Sequence, residues 1–351
     1  MTLEDLGWNS YFSEQFAPYA AQEFVVGRVS SEQRNLYRVY TEAGETTATI
    51  SGKFRFSAVS RGDLPAVGDW VVLTLHQGGA QIHGVLPRSS KFSRKAAGTT
   101  TEEQIVAANV ETVFLVSALN NDFNLRRLER YLTLGWESGA FPVIVLSKAD
   151  LCQDLENKRL DVEGIAPGVP VIPVSSVSGS GLEQLDQFIK PGTTVALLGS
   201  SGVGKSTLIN RIYGDEVQKT NHVRYGDDRG KHTTTSRELI VLPGRGLLID
   251  TPGMRELQLW GTENGLGEAF EDIQHLSSAC RFSDCRHEHE PGCAVQLALS
   301  VGDLDHERYA NYQKLKRELA YLARKEDQIA TLEEKAKWKK INKALKQQKH
   351  R

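Results

Sequence analysis

Residues 199–206, GSSGVGKS, match the phosphate-loop pattern G-x-x-x-x-G-K-[ST]. The chemistry of such a segment is anion binding. Its glycines let successive backbone N–H groups turn inward onto phosphate oxygens, and the following helix N-terminus adds partial positive charge. Gly199, Ser200, Ser201, Gly202, Val203 and Gly204 are expected to cradle the phosphates, with Thr207 just beyond. Lys205 is expected to bridge the β- and γ-phosphates and Ser206 to ligate Mg²⁺ through its hydroxyl. Residues 250–253, DTPG, match D-x-x-G. There Asp250 can hold Mg²⁺, directly or through water, and the Gly253 N–H can meet the γ-phosphate. Between the two lies the polar segment 231–235, KHTTT, a candidate first switch. Thr234 is the expected Mg²⁺ ligand there, with Thr233 as the alternative.

Residues 147–150, SKAD, nearly match the guanine-reading N-K-x-D. The Asp150 carboxylate can accept from guanine N1–H and N2–H, donors that adenine lacks, and the Lys148 stem can lie across the ring. Ser147 replaces the usual Asn, offering one hydroxyl where an amide has both a donor and an acceptor. Weaker bracing of the base loop is expected from this, without loss of guanine preference. Ser175 and Ser176, after the next apolar strand, resemble the loop whose backbone N–H meets guanine O6. Many GTPases place Gln directly after D-x-x-G to orient the attacking water. Met254 stands there in this chain and cannot do so. His232 is the local candidate for that task, and help from a partner is the alternative.

The order of these segments is unusual. The base reader precedes the phosphate loop, whereas in an ordinary G domain it follows. That reversal marks a circularly permuted GTPase domain. Its elements can be read from the apolar runs: strands near 110–117, 142–146, 170–174, 195–198, 238–242 and 246–249, and helices at 125–135 and 205–213. Continuous apolar strands alternating with helices indicate a mostly parallel sheet covered on both faces.

Cys280, Cys285, His287 and Cys293 supply three thiolates and one imidazole, suited to a closed tetrahedral structural Zn²⁺ site. His289 rivals His287 by position, and His275 is a weaker rival. Residues 303–351 read as helix, with Tyr309, Tyr312, Leu315, Leu319 and Leu322 as an apolar stripe that packs into a core.

The chain has 351 residues, 40% hydrophobic and 25% charged, which places it among ordinary soluble globular proteins of two or three domains. No membrane span or secretory signal is visible, so a cytoplasmic monomer without a membrane partner is expected. The net charge of −2 hides an asymmetry: 331–351 carries eight Lys or Arg and two acids, a net +6, leaving −8 on the rest. A basic tail on an acidic body points to a polyanionic partner. Residues 24–29, 36–40, 46–56, 70–75 and 81–86 read as five short strands separated by Gly and Asp, which fits an OB-fold barrel. Arg28, Arg38, Lys53 and Arg55, interleaved with Tyr37, Phe54 and Phe56, suit contact with RNA backbone and bases. A basic linker with Arg88, Lys91, Arg94 and Lys95 follows.

The motif order, together with FSDCRH at 282–287 and EPGC at 290–293, resembles the ribosome small-subunit-dependent GTPase A family, also called RsgA or YjeQ. The resemblance runs over roughly 22–300. It implies an N-terminal extension (1–21), an all-β OB-fold RNA-binding domain (22–95), an α/β circularly permuted P-loop GTPase domain (96–270) and a zinc-binding helical domain with a basic tail (271–351). It further implies binding to the 30S subunit and its 16S rRNA late in assembly, with GTP hydrolysis stimulated there and tied to release. The family's catalytic histidine falls on His232. The rival expectation is an RNA-binding module that GTP occupancy switches with negligible turnover. A phosphate-loop ATPase or kinase is disfavoured by Lys148 and Asp150.

Overall fold

The computed structural model describes residues 1–33, 36–95, 103–214, 237–250 and 264–325. Five strands close a small barrel: β1 (Val25–Gln33), β2 (Leu36–Thr41), β3 (Gly44–Ile50), β4 (Trp70–His76) and β5 (Gly79–Val85). The order is β1-β2-β3-β5-β4, with β4 returning to β1 and β3 running parallel to β5, as in an OB-type barrel. Val29, Val39, Val71, Leu73 and Ile82 fill its interior. The expected strand 46–56 is only half strand. At Ser51 the hydroxyl accepts the Phe54 N–H at 3.1 Å and caps a short helix, Gly52–Ser57.

The expected linker also forms structure. Lys91–Lys95 (β6) pairs antiparallel with Glu103–Ala108 (β7). Lys91 bonds Glu103 at 2.9 Å, and Phe92 is buried. Alternation of apolar and charged side chains favours a strand here.

The second half is a six-stranded sheet in the order β10-β9-β8-β11-β13-β12: Val171–Pro173, Phe141–Ser147, Thr112–Ala118, Thr194–Leu198, Leu247–Asp250 and Glu238–Val241. All of it is parallel except β12. Successive residues of β8 enter different cores. Val113 and Leu115 face one side, Phe114 and Val116 the other. That accounts for the continuous apolar run. The helices that position the site are α3 (Leu125–Ser138), α4 (Leu155–Ile165) and α5 (Lys205–Tyr213), α1 and α2 being Ser10–Phe16 and Gly52–Ser57. Downstream come α6 (Asn264–Ala269), α7 (Glu271–Ser278), α8 (Ala294–Val301) and the helix 306–325, termed α9. Tyr309, Tyr312, Leu315 and Leu319 are buried and Leu322 packs beside them, so the stripe serves the core. Among the described residues no helix is long and apolar enough to cross a membrane.

Barrel and sheet meet at one strand pair, Ser31 opposite Glu238. Their hold is deeper inside. Arg28 of β1 is 1% exposed, and its guanidinium donates to the carbonyls of Leu6, of Gly68 (3.2 Å) and of Asn109 (2.7 Å). These belong to the N-terminal extension, the barrel and the lead into β8. Gly68 (φ +91) lies so close to Ala108 that a Cβ would sit 2.1 Å from its carbonyl oxygen, so only glycine permits the approach. Trp8 and Phe12 pack on Trp70 at 4.8 and 5.8 Å between ring centroids, sealing the joint.

Arg28 and Tyr37 are therefore not RNA contacts, because both side chains are buried. Arg38, Lys53, Arg55 and Phe56 are exposed, Phe56 at 94%. Arg28→Ala is expected to cost about 3–5 kcal/mol of stability, because it removes the donor to three carbonyls, of which, among the described residues, only that of Gly68 keeps another, the Asn109 amide, and opens a cavity. Arg38→Ala should stay within about 0.5 kcal/mol. Thermal melting of the two variants checks this, and equal melting temperatures would refute the role given to Arg28.

Candidate functional site

β11 ends at Leu198 and α5 begins at Lys205, so residues 199–204 form the turn between a buried strand and a helix. The turn demands its glycines. Gly202 and Gly204 have φ of +78° and +96°, and a Cβ on Gly199 would lie 2.4 Å from the Val116 carbonyl. Val203 is buried beneath the loop. Lys205 Nζ lies over the loop, donating to the carbonyls of Gly199 (2.7 Å) and Ser200 (2.6 Å). Ser206 and Thr207, at the start of α5, are exposed.

The base-reading segment leaves β9, two strands from β11, and the two loops meet. Ser147 Oγ donates to the Val203 carbonyl at 2.5 Å and also lies 3.3 Å from the Ser117 carbonyl. Lys148, in the left-handed region at φ +58°, donates from Nζ to the Gly202 carbonyl at 2.8 Å. Strain at such a residue persists only where its surroundings impose it. The one hydroxyl of Ser147 ties the base loop to the phosphate loop. Asp150 is exposed beside them. Ala149 N–H donates to the Val174 carbonyl, drawing in the loop after β10. In that loop Ser175 is buried, its hydroxyl accepting the Ser178 N–H. Arg211 of α5 donates to the Ser176 carbonyl at 2.7 Å.

Asp250 ends β13, next to β11, and so reaches the same sheet edge. Burial pushes its carboxyl pKa upward, Glu238 directly opposite on β12 adds to this, and Lys205 opposes it. A cation held beside Asp250 would relieve that stress. Gly253, Met254, His232, Thr233 and Thr234 lie outside the described residues.

Sequence reasoning missed two residues here. Asp122, in the loop after β8, accepts from Ser200 Oγ at 2.9 Å. Arg127 of α3 donates to Asp122 Oδ2 at 2.8 Å and to Ser200 Oγ at 3.0 Å. Neither residue lies in a recognised motif.

The Cys/His cluster forms between α7 and α8. Its four candidate ligand atoms all lie within 4.8 Å of one another. Cys280 Sγ to Cys293 Sγ is 3.9 Å, and His287 Nδ1 is 3.5 and 3.4 Å from these two sulfurs. Tetrahedral zinc with ordinary bond lengths needs about 3.8 Å between sulfurs and about 3.5 Å from sulfur to nitrogen. The donor set therefore fits. His287 Nε2 lies 3.2 Å from Ser277 Oγ, an outer partner that orients the ring. The Glu290 carboxylate accepts N–H bonds from Arg286, Glu288 and His289, which pull its pKa down to about 2 and curl the chain around His287. His289 and His275 are exposed and outside the cluster, so His287 is the histidine that lies against the three sulfurs.

The permuted order and the fold are matched in known proteins. A family model described as RsgA GTPase covers residues 85–260. A relative from Opitutus terrae, named small ribosomal subunit biogenesis GTPase RsgA, is 47% identical over 97% of this chain and 96% of its own length. The chain belongs to the RsgA GTPase family. A second relative, RsgA 2 of Lactiplantibacillus plantarum, is 46% identical over 93% of each chain. Two solved structures share the RsgA-type fold. YjeQ from Thermotoga maritima has a TM-score of 0.64 at 28% identity, covering 85% of this chain and 99% of its own. YloQ, described as a circularly permuted GTPase, has a TM-score of 0.60 at 26% identity, covering 87% and 96%. Another family model, described as 50S ribosome-binding GTPase, matches 194–347, starting at β11. In an unpermuted G domain the phosphate-loop strand comes first, so such a model can align only from there.

Ser147→Ala is expected to speed amide exchange across 199–205 roughly five- to tenfold, the effect of losing one hydrogen bond. Hydrogen exchange followed by mass spectrometry measures it, and an unchanged rate would mean the two loops are held by other contacts.

Proposed function

We propose that this protein is a GTPase that binds the small (30S) ribosomal subunit and acts in its late assembly, hydrolysing GTP to GDP and phosphate with stimulation by that subunit. The observation that carries the reading is the meeting of Ser147, Lys148, the 199–206 loop and Asp250 at one edge of the sheet. It supports the reading in a chain whose full-length relatives are named for small-subunit biogenesis. The large-subunit description comes from a match to 194–347 alone.

In this proposal the backbone of Gly199, Ser200, Ser201, Gly202, Val203 and Gly204 receives the phosphates. Lys205, now bonded to loop carbonyls, turns to the β- and γ-phosphates. Ser206, Thr207, Gly253 and Thr234 complete the phosphate end. Asp150, Lys148 and the 175–176 backbone read guanine. Ser206, Asp250 and Thr234 would hold Mg²⁺, which supplies charge neutralisation at the phosphates when bound. His232 would orient the attacking water in place of the Gln absent at Met254. One structural Zn²⁺ on Cys280, Cys285, His287 and Cys293 would hold α7 and α8 together. The working division is 1–21, 22–95, 96–270 and 271–351, with the barrel and basic tail facing 16S rRNA. The protein is taken to work as a cytoplasmic monomer.

Met254 favours a second reading, a GTP-occupancy switch with negligible turnover. Steady-state GTP hydrolysis alone, with 30S and with 50S subunits separates the two. Stimulation by 30S only supports the GTPase, and equal rates in all three would favour the switch. Lys205→Ala is expected to abolish turnover, and normal rates would show the site to be misassigned. Asp150→Asn should cut the preference for GTP over ATP by about 1–3 kcal/mol in competition binding, and unaltered selectivity would contradict the guanine assignment. Cys285→Ser should lose zinc by elemental analysis and melt at lower temperature, and unchanged melting would argue against a structural metal.

A further inference from the structure

Ser200, Asp122 and Arg127 form a closed ring on the rim of the phosphate loop. Ser200 Oγ donates to Asp122 Oδ2 (2.9 Å) and accepts from Arg127 Nη1 (3.0 Å). Arg127 in turn holds both Asp122 carboxylate oxygens, at 2.8–3.0 Å, and the Asp122 carbonyl, at 3.0 Å. A planar guanidinium gripping a carboxylate and its own backbone carbonyl leaves that carboxylate little freedom. The only group outside 122–127 that the ring engages through these bonds is Ser200, the second residue of the phosphate loop. A merely structural pair would not need that third member.

The neighbours of Arg127 on α3 face elsewhere. Arg126 bonds Asp305 at 3.4 Å, and Arg130 holds Glu318 through both oxygens at 2.7 and 2.9 Å. Glu129, fully buried, accepts from Arg308 (3.0 Å) and Asn311 (2.6 Å). Arg308 also binds Asp272 of α7, at 2.7 and 2.8 Å. One turn of α3 thus touches the phosphate loop on one side and, on the other, α9, which Arg308 ties in turn to α7 beside the Cys/His cluster. A helix turn is stiff, so a shift of α7 and α9 against the sheet must either break these pairs or carry Arg127 with it.

From this juxtaposition we infer that Asp122 and Arg127 are positioning residues that set the phosphate loop through Ser200, and that α3 makes the setting depend on the C-terminal helices. The inference rests on the nucleotide reading above. It assigns a route from the Cys/His end of the molecule to the phosphates that does not pass through the D-x-x-G segment at 250–253.

The test is fluorescent GTP binding to the zinc-loaded full chain, without ribosomes, as two double-mutant cycles. Arg127→Ala and Ser200→Ala are each expected to weaken affinity about three- to tenfold, and the double variant no more than either single one. Arg127→Lys should rescue part of the loss, because charge returns without the fork. GTP/ATP selectivity and melting temperature should hold steady. The second cycle pairs Arg127→Ala with Glu318→Gln. Glu318→Gln should weaken binding in the wild type and lose its effect when Arg127 is gone. Additive losses in the first cycle would overturn the positioning role. Non-additivity in the first with additivity in the second would overturn the coupling. Failure of the unmutated protein to bind GTP would instead sink the nucleotide reading itself.

Discussion

Three segments of this molecule are held by one buried charge. The Arg28 guanidinium donates to carbonyls of the N-terminal extension, the barrel and the lead into the GTPase sheet. Burial lowers its pKa to about 10, with Glu111 and then Asp69 acting against that, so it stays cationic at neutral pH. A buried cation without partners would be ruinous, and backbone carbonyls offer fixed acceptors that need no second charge. The consequence is mutual dependence. No one of the three segments satisfies Arg28 alone, so each depends on the others at this joint. Asn109 adds to the same joint, its side-chain amide donating to the Gly68 carbonyl and its oxygen accepting the Ser89 N–H.

A second buried network plays the matching part at the other end. Glu129 gathers Arg126, Arg308 and Asn311, and Arg308 also stacks over Phe270 at 4.7 Å. Such clusters contribute register more reliably than stability. Here the register is that of α3 against the C-terminal helices. Between the two networks sits the sheet edge where the phosphate and base loops bond to each other. A circular permutation leaves this edge intact, because the order of strands in space is unchanged while the chain enters at a different strand. The price is that the phosphate-loop strand now follows the base reader, and the chain continues from β13 toward the Cys/His cluster.

The departures from sequence expectation have a common physical cause. Arg28 and Tyr37 look like surface groups because charged and phenolic side chains seldom go fully inside. Only three distant carbonyls converging on one point make burial of Arg28 affordable. Ser147 looks like a loss because one hydroxyl replaces an amide, yet proximity to Val203 lets that hydroxyl join two loops. The 46–56 run reads as one strand by composition, but Ser51 supplies a helix cap in the middle.

The sequence by itself proposed the chemistry. Motif spacing marked out candidate phosphate, base and metal segments, because backbone turns and ligand sets impose residue types at fixed local intervals. It also determined the permuted order, which is a property of the chain alone, and the apolar strands of the sheet. Only the tertiary structure decided what lies between the motifs: His287 over His289, the meeting of the two loops, and the ring of Ser200, Asp122 and Arg127. The last two join residues tens of positions apart. Their specificity comes from distance and angle in space, which no local pattern of side chains encodes.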